Sequence, residues 1–393
     1  MTQAKPGKLV LYASVGPRLT QYDVDAEAAT LTEKQTIDVV ANVQYVWPHA
    51  SRDFLYVASS DSAPGMGLAG TNHHVTAFRV EAEDGGLRQH GMPMALPHRP
   101  IHMSTDRASE YILVAYNNPA AVQIFRIDPD GTPGAEVVQG TSLDPGVFPH
   151  QVLATPDNRQ VLLVARGHDA AQLRPEEPGA LKQFDFVSGS LSNERSIEPD
   201  GGFGFGPRHL DFHPSRPWIY VSLERQNEVA LFDLVNGHLA PTPRFRISTL
   251  AEPDNIRGHQ WVGTVHVHPN GRFVYVANRA SSAVDFGGQA VFAGGENSIA
   301  VFAIDQATGE PRLIQHADSH GIHPRTFHID PSGRLMVVAH IVGMNTQDGG
   351  TITHVPARLS LFHIGDDGTL AFRRSYDIET SGRFMWWMGM FLI

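Results

Sequence analysis

Arginine, histidine and one glutamate recur at two kinds of position in this chain, and their types suit proton transfer beside a bound anion. One kind opens short apolar runs: Arg99, His102, His150, Arg208, His209, His323, Arg325 and Arg383. The other lies at or just after the end of a second, more apolar run: Asn117, Arg166, Glu224, Asn278, Arg279 and His340. Guanidinium is a planar fork matched to carboxylate and phosphate, and gathering several of them costs repulsion unless an anion or carboxylate compensates. In a chain of net charge −11 such a gathering implies a small anionic ligand. His150 and Glu224 are the groups suited to moving a proton near neutral pH. For Glu224 the competing reading is an ion pair with Arg208 across a strand hairpin.

The elements that must position these residues repeat along the whole chain. A β-rich run ending in a small residue occupies 9–13, 54–58, 111–115, 161–165, 218–222, 273–277 and 335–339, and the last residues of these runs lie 45 to 62 positions apart. A second, aromatic-centred run follows each, at Tyr22, Phe78, Phe125, Phe184, Phe232, Phe302 and Phe362. Turns such as Asp128-Pro129-Asp130-Gly131 lead to the next copy. Repeats of this period and strand content predict an all-β, seven-bladed β-propeller of four-stranded antiparallel blades, one domain over residues 1–393.

Six copies carry a further strand ahead of the first run, and the N-terminal copy lacks it. The spare apolar run at 383–392 is expected to supply it, as the innermost strand of the first blade and the closure of the ring. That run has about half of the roughly 20 apolar residues a membrane span requires. Four blades have long connections between second and third strands, and the Gly-rich polar stretches 167–179, 285–297 and 343–350 within them are expected to be loops walling one mouth of the channel. The arginine and histidine positions open on that mouth. There His102, Asn117, Arg166, His209 and Arg325 are the expected substrate-binding residues.

Composition narrows the partners. With no cysteine, disulfides, thiolate nucleophiles and Cys-ligated metals are excluded together. An acidic chain argues against a nucleic-acid partner. The polar start and the strand-length run behind it lack a secretory signal pattern, so a cytoplasmic protein with no membrane partner is expected. No oligomeric interface is legible. The 21 histidines raise a metal hypothesis through His266-x-His268 and through His320, His323 and His340. That spacing is no recognised ligand motif, and a strand histidine ahead of Pro and Asn-Gly reads as part of a turn's hydrogen bonding, so no metal is expected.

The segment Gly206-Pro207-Arg208-His209, with Trp218-Ile219-Tyr220-Val221-Ser222-Leu223-Glu224 after it, resembles the signature of the seven-bladed lactonase family. Further matching stretches are Pro149-His150-Gln151, Val276-Ala277-Asn278-Arg279 and Pro324-Arg325. That family includes the bacterial propeller-type 6-phosphogluconolactonase and the fungal 3-carboxy-cis,cis-muconate lactonizing enzyme. The resemblance implies His150, Arg208, Glu224 and Arg279 as catalytic residues, no cofactor, and a role in carbohydrate or aromatic catabolism. Opening a lactone needs a base for water, a cation or donor for the oxyanion and an acid for the leaving alkoxide, and these residue types supply all three. The expected function is hydrolysis of a carboxylated or phosphorylated lactone, with His150 or Glu224 as the base. A muconate-type cycloisomerase and a non-enzymatic ligand-binding propeller are the alternatives.

Overall fold

Continuous apolar runs, rather than alternating ones, mark strands covered on both faces, and the second strand of every repeat has that burial. In the computed structural model, which describes residues 7–62, 69–171 and 174–393, the segments Phe54–Ser60, Gln160–Ala165, Trp218–Leu223, Phe273–Arg279 and Leu335–His340 are buried along their whole length. The parts of the expected insertions at 63–68 and 172–173 lie outside the described residues. No α-helix occurs among the described residues, and none of their elements is a helix long and apolar enough to cross a membrane.

The chain groups into two compact units: Met1–Ala165, Leu181–Ser196 and Trp386–Ile393 form the first, Arg166–Ala180 and Ile197–Met385 the second. The first unit holds four four-stranded antiparallel sheets. Their innermost strands are Met388–Leu392, Asn42–Pro48, Pro100–Thr105 and Pro149–Ala154. The C-terminal strand pairs antiparallel with Leu9–Val15, from Leu9↔Leu392 to Ala13↔Met388, so the N-terminal sheet does receive its fourth strand from the other end of the chain. It begins at Met388, five residues later than the apolar run suggests, because Trp387 instead turns into the core beside Tyr12, Val43 and Val57. Deleting residues 384–393 removes this strand and that core ring and bares the edge of Leu9–Val15. The truncated protein is expected to aggregate, which size-exclusion chromatography and thermal melting will show; a monomer with unchanged Tm would contradict it.

The second unit holds three further sheets, with innermost strands Pro207–Phe212, Trp261–Val267 and Pro324–Ile329. Neighbouring sheets bury aromatic residues between them, as where Tyr275 and Val301 meet Phe327, Met336 and Phe362. Each such side chain contributes roughly 1.5–3 kcal/mol on burial. A repeated hydrogen bond sets the spacing of successive sheets: a tyrosine of the second strand donates its hydroxyl to the carbonyl of a glycine in a later turn. Tyr56 reaches Gly131 (3.0 Å) in the first unit, and Tyr220 reaches Gly309 (2.7 Å) and Tyr275 reaches Gly368 (2.9 Å) in the second. Glycine is required at such a turn. Gly368 has φ +83°, and a Cβ there would lie 2.3 Å from the ring of Phe273.

Two insertions expected as loops are instead strands. Ala283–Phe286, Gln289–Phe292, Met344–Asp348 and Thr351–Val355 form an additional four-stranded sheet in the second unit, joined at its middle by the parallel bridge Val291↔Asn345. Each hairpin turns on two consecutive left-handed glycines, Gly287-Gly288 and Gly349-Gly350. That dipeptide between short β-branched runs is a hairpin signal, and it outweighs the polar, glycine-rich composition.

Candidate functional site

Proline opens several innermost strands, where its missing N–H costs no ladder bond, and a register shift follows it at once. The shift falls between Pro100 and His102, Pro149 and Gln151, Pro207 and His209, and Pro324 and Thr326. A bulge leaves one residue out of the pairing and re-aims its side chain. Those residues include His150, Arg208 and Arg325, so the Pro-x dipeptide of the sequence is what presents them.

In the second unit one carboxylate gathers three guanidiniums. Glu224 follows the strand Trp218–Leu223, and its N–H donates to the Gly206 carbonyl (2.7 Å), which fixes it opposite Arg208. Its Oε1 lies 2.9 Å from Arg208 Nε in an ion pair and accepts from Arg279 Nη2, and its Oε2 accepts from Arg166 Nη1 (2.5 Å). Arg279 ends the strand Phe273–Arg279 and lies 5.5 Å from the ring centre of Trp261. The side chains of Arg208 and Glu224 are 1% and 5% exposed, and that of Arg166 is 20% exposed. The set of four carries two net positive charges in a mostly desolvated place. Burial accordingly pulls Arg279 below the usual arginine range, opposed by Glu224.

His323 and His209 extend this cluster. The Nε2 of His323 lies 3.0 Å from Arg279 Nη1, and a ring nitrogen of His209 lies 3.3 Å from Arg208 Nη1. Guanidinium only donates, so His323 accepts at Nε2 and is unprotonated there. Burial, with the charges of Arg279, Arg325 and Arg208 beside it, holds His323 well below the usual histidine range. Arg325 also offers its carbonyl to Thr264 Oγ1 (3.2 Å).

The other residues expected at the site belong to the first unit. His150 is buried at the bulge of Pro149–Ala154. His102 is fully buried, its ring centre 4.0 Å from that of Tyr45 and its Nδ1 accepting from the Val152 N–H (3.4 Å). Asn117 ends the strand Tyr111–Asn117, half-buried and paired with Ala120.

The histidines considered as metal ligands have other partners. His268 Nε2 lies 2.8 Å from the Gly333 carbonyl and its Nδ1 accepts from Asn270 N–H (3.1 Å), which is the turn network its sequence context suggests. His266 Nδ1 lies 3.3 Å from Asp211 Oδ2. His320 stacks on Phe372 with ring centres 3.7 Å apart, and His340 Nδ1 donates to the Arg358 carbonyl (3.1 Å). Burial pushes His340 down to about 4. The contact of His323 with Arg279 was not legible in the sequence, because it joins residues 44 positions apart.

The chain matches the lactonase, 7-bladed beta-propeller family over residues 12–354. It is 26% identical over 353 residues to the 6-phosphogluconolactonase of Bacillus subtilis (strain 168), covering 86% of this chain and 90% of that one. Identity to the 6-phosphogluconolactonase of Cronobacter sakazakii is 27% over 316 residues, 79% and 80% of the two chains. Among solved structures, the periplasmic gluconolactonase PpgL of Pseudomonas aeruginosa superposes with a TM-score of 0.72 at 20% identity, over 95% of this chain and 97% of the other. A protein of Lactobacillus plantarum gives a TM-score of 0.71 at 20% identity, over 98% and 99%. The seven main sheets are therefore the blades of an all-β, seven-bladed propeller. With 343 consecutive positions matched, this chain belongs to the lactonase, 7-bladed beta-propeller family.

Proposed function

We propose that this protein hydrolyses a small lactone bearing a carboxylate or phosphate. Lactone hydrolysis is the activity named for the curated relatives. The anionic substituent rests on one observation: three guanidiniums converge on the single carboxylate of Glu224, and that set retains two net positive charges. Retained charge in a desolvated place favours an incoming anion. Arg166, the most exposed of the three, and Arg279 make the contact with the substrate's anionic group. Arg208, almost wholly covered, holds Glu224 in place behind them. Glu224, with both oxygens already accepting, orients the arginines, and proton transfer falls to His150. The expected compartment is the cytoplasm, which fractionation tests directly; the name of the Pseudomonas relative carries the word periplasmic.

Acid release in a pH-stat from matched γ- and δ-lactones, neutral or carrying a carboxylate or phosphate, tests this reading. The panel includes 6-phosphogluconolactone, the substrate in the relatives' names. The anionic members are expected to show at least about tenfold higher kcat/KM, the equivalent of roughly 1.4 kcal/mol. Equal turnover of neutral and anionic members would remove the anion from the proposal. Replacing Arg166 or Arg279 by Lys keeps charge but loses the fork, and is expected to raise KM for the anionic lactone about tenfold with kcat little changed.

A further inference from the structure

Arg279 is held on three sides, and two of the residues that hold it come from outside the set that pairs with Glu224. Its Nη2 donates to Glu224, its Nη1 donates to His323 Nε2 (3.0 Å), and its guanidinium lies 5.5 Å from the Trp261 ring centre. The His323 side of this frame is itself fixed by one side-chain oxygen. Asn297 Oδ1 accepts the backbone N–H of Ala280 (2.8 Å), the residue after Arg279, and the backbone N–H of His323 (2.9 Å). Asn297 is anchored in turn, its carbonyl accepting from Ser319 Oγ (2.8 Å). His323 has φ +58°, a left-handed conformation that few residues other than Gly, Asn, Asp and His adopt readily.

We propose that His323 and Asn297 are positioning residues for Arg279: Asn297 ties the two backbone segments together, and the neutral imidazole of His323 aims the guanidinium at the substrate's anionic group. Because a guanidinium cannot accept, His323 can do this only while Nε2 is unprotonated. The charges facing that ring are Arg279, Arg325 and Arg208, opposed by Glu224, and their balance disfavours a further cation there. Asn297 lies at the end of the insertion that contributes the hairpin Ala283–Phe286 and Gln289–Phe292 to the additional sheet. The same insertion therefore contributes both to that sheet and to the frame around Arg279.

This inference rests on the anionic-lactone reading, so its test compares an anionic lactone with the neutral lactone of the same ring. His323→Leu removes the acceptor at similar bulk, and His323→Gln restores an acceptor near the position of Nε2 at the same backbone cost. The Leu variant is expected to raise KM for the anionic lactone at least tenfold, with kcat within about threefold and KM for the neutral lactone unchanged; the Gln variant recovers most of that loss. Asn297→Ala is expected to show the same selective rise, and it carries the test if His323→Leu does not fold. A wild-type protein that turns over both lactones equally overturns the anion reading and this inference with it. A selective wild type whose folded Leu and Ala variants keep their KM, or lose kcat equally for both lactones, overturns the inference alone. A Gln variant no better than Leu does the same.

Discussion

The His150→Gln variant is expected to lose about 10²- to 10⁴-fold in kcat while KM for the preferred lactone stays within a few-fold of wild type. Glutamine is close in length to histidine and keeps a polar end, but it neither takes nor gives a proton near neutral pH. His150 is buried and sits at the bulge behind Pro149, so its backbone geometry is set by the strand rather than by the ring. The substitution therefore removes the titrating group without undoing the element that presents it. Steady-state kinetics on the most active lactone of the panel, with a thermal melt to establish folding, provide the check. A folded variant with kcat near wild type would take proton transfer away from His150 and return it to Glu224 or to another group.

Glu224→Gln is expected to have a different signature. Removing one partner of a buried ion pair leaves the other charge uncompensated, at a cost of about 3–5 kcal/mol. Here a single change deprives Arg166, Arg208 and Arg279 of their common anion. The variant should melt several degrees lower than wild type, and inorganic phosphate should raise its Tm more than it raises that of wild type, because an added anion takes over part of the lost compensation. Activity should fall mainly through KM. A drop confined to kcat, with Tm and phosphate response unchanged, would make Glu224 the proton-transfer group that the sequence also allowed.

Much of the fold was legible before any coordinates. Runs such as 161–165 and 335–339 have too few polar residues to face water on either side, so they must be covered on both, and seven of them at a regular period require a repeating stack of sheets. The missing strand of the N-terminal copy could be traced to the C-terminus for the same reason, since an unpaired edge beside Leu9–Val15 needs a partner, and Met388–Leu392 is that partner. The additional sheet has a local signal too, in Gly287-Gly288 and Gly349-Gly350, which lies within polar, glycine-rich stretches.

The site divides along a physical line. Sequence by itself determined where the charged groups are carried, because Pro149, Pro207 and Pro324 open strands whose next residue bulges, and because second strands end beside Arg166, Glu224 and Arg279. Only the tertiary structure decided what those groups do to one another. Glu224 meets Arg166 and Arg279 across 58 and 55 residues of chain, and His323 meets Arg279 across 44. Ion pairing and desolvation depend on distances of a few ångströms and on the exclusion of water, and neither is set by local propensity. The chain's own pattern supplies three guanidiniums, a carboxylate and an imidazole; whether the carboxylate moves a proton or holds the arginines, and whether the imidazole stays neutral, follows from the burial they share once folded.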